Sequence, residues 1–412
     1  MHPKFKCSIP SLFFILLTGC GGVQATKLAK ARIDTLPNGT VRVMSDGPTA
    51  WSDSAGASLV EAARFQGEDG TPAELGQPQS IAVDAEGRIY VVDSKPAVLK
   101  VFSPSGELIR TIGREGEGPG EFRVGFIAVR GEHVVLHDPT LSRTSVFDTA
   151  GTFLRSWHSA CCYHGDIQVD SRNRIYIAGS GDPKENGPAG RTSWVRWSLD
   201  GAVLDTLWIP NRESGKTWTV RFGPGGKAAM TTGVPFMPLR IHTLHPDGGL
   251  VYGWTGEYAI VRSGTGRDSI RVFGRTWTPE AITDERRKAE VELMIQQMAG
   301  MAPIGLSDIK QAARDAFRVE DVPTTLPAYQ NLRVDPSGRV WVRRHAIADT
   351  TRTFYDLFDS TGAYLGPVTA PFRVDRWGKQ AWTRDELVAV IEDEGGRPTV
   401  VRLRLEVPGR AK

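Results

Sequence analysis

Residues 80–122 read SIAVDAEGRIYVVDSKPAVLKVFSPSGELIRTIGREGEGPGEF. Four short apolar or β-branched runs, at 81–83, 89–92, 99–102 and 108–112, alternate with Asp-Ala-Glu-Gly, Ser-Lys-Pro, Pro-Ser-Gly and a Gly-rich break. Runs this short, joined by turns this tight, form an antiparallel meander. One such sheet cannot bury both of its faces alone, so it needs neighbours of its own kind.

The chain supplies them. Ile81-Ala-Val-Asp-Ala-Glu-Gly-Arg-Ile-Tyr90 recurs as Ile167-Gln-Val-Asp-Ser-Arg-Asn-Arg-Ile-Tyr176 and Leu332-Arg-Val-Asp-Pro-Ser-Gly-Arg-Val-Trp341, with looser copies starting at Ile127 and Ile241. Most copies are followed by a second turn, as in Phe102-Ser-Pro-Ser-Gly106, Phe147-Asp-Thr-Ala-Gly151 and Phe358-Asp-Ser-Thr-Gly362. In each Asp-x-x-Gly the carboxylate can accept local backbone N–H groups while Gly takes a positive φ, so we read these aspartates as turn formers rather than catalysts.

Six units follow, at 80–113, 126–157, 166–210, 237–276, 329–366 and 371–407. The third carries a polar loop at 181–191 and an extra hairpin at 216–232. The sixth has a weak inner strand, expected at 371–375. Residues 58–66 form an outermost strand without a unit of their own, and their expected place is beside 399–406; residues 41–44 add a strand nearby. Closing a ring in this way removes free sheet edges.

GREGEGPGEF followed by an Ile-Ala-Val strand resembles the NHL-type repeat. The chain as a whole is similar to bacterial lipoproteins and secreted proteins that are six-bladed β-propellers. The resemblance implies an all-β propeller closed by pairing of an N-terminal strand with the C-terminal blade. It implies no activity, because propellers host many unrelated functions.

At the N-terminus, Lys4 and Lys6 precede an apolar stretch at 9–17 that is too short to span a bilayer and ends in Leu17-Thr18-Gly19-Cys20. That tetrapeptide resembles the bacterial lipobox, which implies cleavage before Cys20 and its lipidation, a palmitate-type acyl anchor included. The expected division is a signal peptide at 1–19, a lipidated flexible tether at 20–38 and the propeller at 39–412. The expected address is the cell envelope, on the outer membrane facing the periplasm or on the cell surface. Loss of residues 1–19 removes two lysines and no acid, taking Lys+Arg from 50 to 48 against 47 Asp+Glu, a net +1. A nearly neutral chain gives no case for nucleic-acid binding. The partners expected are the membrane, through Cys20, and an unidentified protein or small molecule, with the chain itself a monomer.

Residues 278–320 break the β pattern. Thr278-Pro279-Glu280 reads as a helix start with Pro at the first position, and 284–299 carries Val291, Met294, Ile295 and Met298 at helical spacing. Gly300 and Pro303 stop that helix, and Ser307-Asp308 caps a second one reaching Phe317. A helical hairpin inserted between blades four and five is expected, its Met-bearing face either packing on the rim or offering a partner surface.

The most unusual cluster is Trp157-His158-Ser-Ala-Cys161-Cys162-Tyr163-His164-Gly-Asp166. Thiolates and imidazoles suit Zn or Cu, but vicinal cysteines do not readily offer two well-angled ligands to one ion, and a vicinal disulfide is the competing state. Further rim candidates precede the inner strands: Gln77 and Gln79, Arg123, Phe236 and Arg240, Tyr329, Gln330 and Asn331, and Arg373. This mixture of Arg, Gln and aromatics suits a polar or anionic small molecule or a peptide loop. Arg343, Arg344 and His345 interrupt the apolar pattern of blade five.

There is no Gly-x-Ser-x-Gly elbow, His-Glu-x-x-His or phosphate loop. The inner strands carry no set of acids or histidines like that of the six-bladed lactonases and lyases. No cofactor or catalytic residue is therefore assigned, and the favoured reading is a binding or scaffolding module. The alternative is a metal-dependent hydrolase or lyase at the channel mouth near His164 and Asp166.

Overall fold

The computed structural model describes residues 31–46, 49–51, 56–159, 167–180, 192–210, 215–264, 269–300, 308–346, 349–375 and 379–408. Blade one consists of Pro78–Val83, Ile89–Ser94, Ala97–Phe102 and Leu108–Ile112; blade two of Phe126–Arg130, His133–Asp138, Arg143–Asp148 and Phe153–His158. Blade three runs Ile167–Val169, Ile175–Ser180, Thr192–Trp197 and Val203–Trp208; blade four runs Arg240–Leu244, Leu250–Trp254, Ala259–Ser263 and Ser269–Arg275. Blade five is Asn331–Val334, Val340–Arg343, Thr353–Phe358 and Tyr364–Ala370; blade six is Gln380–Trp382, Glu386–Glu392, Pro398–Glu406 and Ala57–Phe65. The inner strands of all six line one cavity, so the blades stand around a common axis as a propeller.

Burial follows position in the blade. Second strands are apolar on both faces because each blade is packed on two neighbours: Ile89, Tyr90, Val91 and Val92 are all buried. Outer strands alternate instead, with Leu108–Ile112 burying Ile112 while Ile109 stays exposed.

The N-terminal segment engages three blades in turn. Val41–Ser45 pairs in parallel with Ser269–Arg275 of blade four, and Ala31–Thr35 pairs with it from outside. The Ala50 N–H then donates to Leu365 O, Trp51 Nε1 donates to Pro367 O, and Ala57 lies opposite Val368, all in blade five. Finally 58–65 runs antiparallel to 400–406, with Ser58 opposite Glu406 and Phe65 opposite Val400. The tether expected over 20–38 is thus corrected from residue 31 onward. Leu36 and Gly39 close a turn that lets 31–35 fold back on 41–45.

Three further expectations are corrected. The inner strand of blade six is Gln380–Trp382, not 371–375. Trp382 is the residue that fits against blade five, its ring 4.3 Å from that of Trp341. The hairpin expected within blade three is a separate two-stranded sheet, Thr217–Phe222 with Ala228–Gly233. Helix α1 spans Asp284–Gly300, not a start at Thr278, because Ala281 is drawn into an extended bridge with Thr325 and Thr283 Oγ1 accepts the Arg286 N–H instead.

Helix α2 spans Ile309–Ala316. Its leading Asp308 makes no side-chain cap; that carboxylate accepts the Gly223 N–H from the hairpin at 2.8 Å. Hairpin and helices share an apolar core of their own, including Trp218, Val220, Val291, Ile295, Ile309 and Phe317. Trp218 and Phe317 stack at 4.5 Å, and Asp321 accepts from both Lys216 Nζ and Trp218 Nε1. Two segments separated in sequence by blade four therefore make one small cap. No helix among the described residues is long and apolar enough to cross a membrane.

Candidate functional site

The repeated aspartates have one geometry. Asp84, Asp170 and Asp335 each accept, on one oxygen, the backbone N–H groups two and four residues on. The other oxygen takes Nε of Arg88, Arg174 or Arg339, at 2.6 Å in every case. It also accepts from Tyr90 Oη, Tyr176 Oη or Trp341 Nε1 six residues on. Burial alone would raise the pKa of Asp170, but these donors hold it below the usual carboxylate range. The same carboxylate and burial push the Tyr176 hydroxyl up. With their lone pairs occupied, these aspartates are structural. Gly248 of blade four lies so close to this cluster in blade three that a Cβ there would land on Arg174, Tyr176 and Asp170.

The rim candidates divide. Tyr329 is corrected: it is a core residue, packed with Tyr258 and Leu332, and its hydroxyl lies where a Cβ on Gly253 would have to sit. Arg123 is exposed and pairs with Glu117, while its backbone N–H anchors a loop to Asp138. Gln77 bonds Ser94 and Asp93 within blade one. Arg240 donates to Pro210 O, and Arg373 is exposed. Cys20, Cys161, Cys162, Tyr163, His164 and Asp166 lie outside the described residues.

Gln330 is brought into a group. Its Nε2 lies 3.1 Å from His345 Nδ1, and the Phe236 ring meets the His345 ring edge-on at 6.1 Å. Phe236 packs against the cap core, so His345 stands where blade five meets the cap. On its other side a cavity of about 270 Å³ is lined by Arg275, Trp277, Glu280, Leu326, Arg344 and His345. Arg275 enters it pre-set: Nε pairs with Asp356 at 3.0 Å, and the guanidinium lies over the rings of Tyr258 and Tyr364. Tyr258 and Tyr364 both donate to the same fully buried Asp356. Burial and Asp356 push the Tyr364 hydroxyl up, against the opposing influence of Arg275 and Arg344. Two guanidinium groups and an imidazole thus share one concavity with a single carboxylate, Glu280, an arrangement suited to a polar anionic group.

Arg275 and Arg344 belong to this cavity, but neither was among the rim candidates. Arg275 closes an outer strand, and only the fold turns it toward the base of the cap. Arg344 and His345 carried a signal as polar residues ending an apolar strand. Among the described residues no group of three His, Cys, Asp or Glu could hold a metal ion.

A family described as "6-bladed beta-propeller" matches residues 72–155. Among solved structures, a member of the DUF4221 family from Bacteroides vulgatus superposes with a TM-score of 0.51 at 10% identity, covering 86% of this chain and 100% of its own. A Bacteroides fragilis protein gives 0.47 at 14% identity, covering 86% and 97%. Virginiamycin B lyase from Staphylococcus aureus gives 0.38 at 11%, covering 80% and 95%. No curated protein matches the chain. The all-β propeller is the common ground, and at these identities the likeness carries no activity.

Proposed function

We propose that this protein is a lipid-anchored propeller of the cell envelope that binds a protein or small polar ligand in the cleft between the cap and blades four and five. One observation carries the reading: Arg275, Arg344, His345 and Gln330 converge beside a cavity of about 270 Å³ where the helical insertion meets the rim. A guanidinium fixed by Asp356 loses little freedom when it meets an anion, which favours affinity. The ring is latched by pairing of 58–65 with 400–406, and the chain before residue 31 tethers it to the acylated Cys20.

Two measurements test this. Radiolabelled palmitate should enter the wild type and not Cys20→Ala, which should leave the membrane fraction; equal labelling of both removes the anchor. Thermal shifts should be seen with at least one member of a panel of carboxylates, phosphates and acidic peptides, and be lost in Arg344→Ala and His345→Ala. A panel in which no member's shift is reduced by Arg344→Ala or His345→Ala overturns the cleft as the site.

A further inference from the structure

The central channel is a separate space, about 1020 Å³, bounded by all six inner strands. One register position places a single residue per blade on its wall. Ala82 lies opposite Tyr90, Ala128 opposite Val135, Gln168 opposite Tyr176, Thr243 opposite Val251, Arg333 opposite Trp341 and Ala381 opposite Val388. Blades six, one and two, which are adjacent, all carry Ala here. Blades three and four carry Gln168 and Thr243, whose side chains bond each other at 3.4 Å. The only charge in the ring is Arg333, whose Nη1 is steadied by Leu332 O at 3.2 Å and Asn331 Oδ1 at 3.5 Å. Half of the ring is thus trimmed to methyl groups and the other half is polar around one guanidinium.

Two positions further along the wall the blades alternate. Blades one, three and five place Asp84, Asp170 and Asp335 at the turn, each neutralised by its own arginine. Blades two and four place Arg130 and His245 at the equivalent position, and blade six places Thr383 there, followed by Arg384. Of the other acids at this mouth, Glu86 and Asp385 share Arg88 and Arg339 with those aspartates, and Glu386 pairs with Arg402. Arg130 and Arg384 have no carboxylate within ion-pair distance among the described residues. The six acids named at the mouth thus face four arginines outside the wall, and Arg333 together with Arg130 and Arg384, on either side of blade one, brings the arginines to seven, a net +1 carried on the wall itself. A positive mouth with low-dielectric walls concentrates anions, and a guanidinium inside it binds carboxylate or phosphate oxygens in pairs.

We propose that the channel is a second ligand site, independent of the cleft, that admits a small multivalent anion past Arg130 and Arg384 and holds it on Arg333. Isothermal titration of the purified protein with inorganic phosphate and with glutarate, at low and moderate salt, tests this and separates the two sources of anionic oxygen. At least one should bind, with affinity falling tenfold or more in Arg333→Ala and several-fold in Arg130→Asp, and weakening as salt rises. Arg333→Ala installs the side chain that three blades already carry, and Arg130→Asp installs the one found at the equivalent turn in three others, so both fit the local backbone. If one variant fails to fold, the other decides. Arg344→Ala, in the cleft, should still show the component of binding that Arg333→Ala removes. Absence of binding by both anions, affinity that survives Arg333→Ala and Arg130→Asp, or a loss confined to Arg344→Ala overturns the channel site.

Discussion

Trp341 Nε1 donates to Asp335 Oδ2 at 3.0 Å in blade five, in the geometry that Tyr90 and Asp84 adopt in blade one and Tyr176 and Asp170 adopt in blade three. The carboxylate ties a turn, a charged side chain and a core aromatic into one unit, and its own side chain is fully buried. Removing it leaves Arg339 Nε and Trp341 Nε1 without their acceptor inside the protein, while Arg339 Nη1 keeps Asp385 at 3.4 Å. Asp335→Ala should therefore destabilise the domain by roughly 3–5 kcal/mol, the usual cost of breaking a buried ion pair from one side. Asp359→Ala removes a carboxylate that serves only the exposed outer turn of the same blade and should cost about 1 kcal/mol. Chemical denaturation of both variants checks this, and equal losses would show that the shared network adds nothing.

Two buried histidines make stability fall in mild acid. Burial holds His137 at about 4, and burial with Arg240 and Arg333 holds His242 at about 4, against an ordinary 6.5. Nδ1 of His137 lies 3.1 Å from Thr144 Oγ1, and its Nε2 has no hydrogen-bond partner among the described residues. A folded value below the unfolded one means that protonation favours the unfolded chain. The stability is complete above 6.5 and is lost progressively as the pH falls toward 4. At pH 5 each ring costs roughly 2 kcal/mol relative to pH 7.5. Carboxylates contribute little between pH 7.5 and pH 5, since their unfolded values, 3.8 for Asp and 4.5 for Glu, lie below pH 5. Melting temperatures should fall between pH 7.5 and pH 5, and His137→Gln should remove about half of the drop.

How much of this was legible in the chain depends on where each contact partner lies. Asp-x-x-Gly-Arg-x-aromatic, with Asn173 in the Gly place in blade three, carries its whole network within seven residues, so blades one, three and five stand out. Blade six lacks that turn, with Thr383 closing on Glu386, and its inner strand is recognised only by Trp382 packing on Trp341, 41 positions earlier. The hairpin at 217–233 alternates correctly, but alternation does not name its partner, which is a helix about 90 residues on. Tyr329 looked like a rim aromatic because the gap that receives it is opened by Gly253 in another blade. Arg344 and His345 could be noticed as polar intruders, whereas Arg275 joins them only through Asp356.

The N-terminal segment should govern solubility more than local stability. Leu59 is buried between Leu357, Leu403 and their neighbours, so Leu59→Ala should cost about 2–5 kcal/mol as a cavity in a tightly packed core. Deleting residues 31–65 does more, because it bares the backbone of Val400–Glu406 along its length. An open edge of that length recruits other chains. The deletion should elute as aggregate in size-exclusion chromatography, while deletion of 31–45, which covers the short outer edge of blade four and reaches blade five through Val43 and Ser45, should remain monomeric. A monomeric 31–65 deletion would show that the ring does not depend on this strand.

The cap should loosen as a unit when the Asp321 carboxylate shared by its two segments is removed. Asp321 accepts from Lys216 and Trp218 of the hairpin, and those donors hold it below the usual carboxylate range despite the opposing effect of burial. The remaining ties between the two segments are the Trp218–Phe317 stack, the Asp308–Gly223 bond and apolar packing. Asp321→Ala leaves that packing in place but strips the indole N–H of its acceptor, a loss of about 1–3 kcal/mol local to the cap. Because the blades share no side chain with this small core, hydrogen exchange should quicken in 217–233 and 284–316 while the inner strands keep their protection. Trp218 fluorescence should shift to the red as water reaches the indole. Uniform acceleration across blades and cap would mean instead that the cap and the propeller open together, and that the cleft around His345 cannot change shape without unfolding the ring.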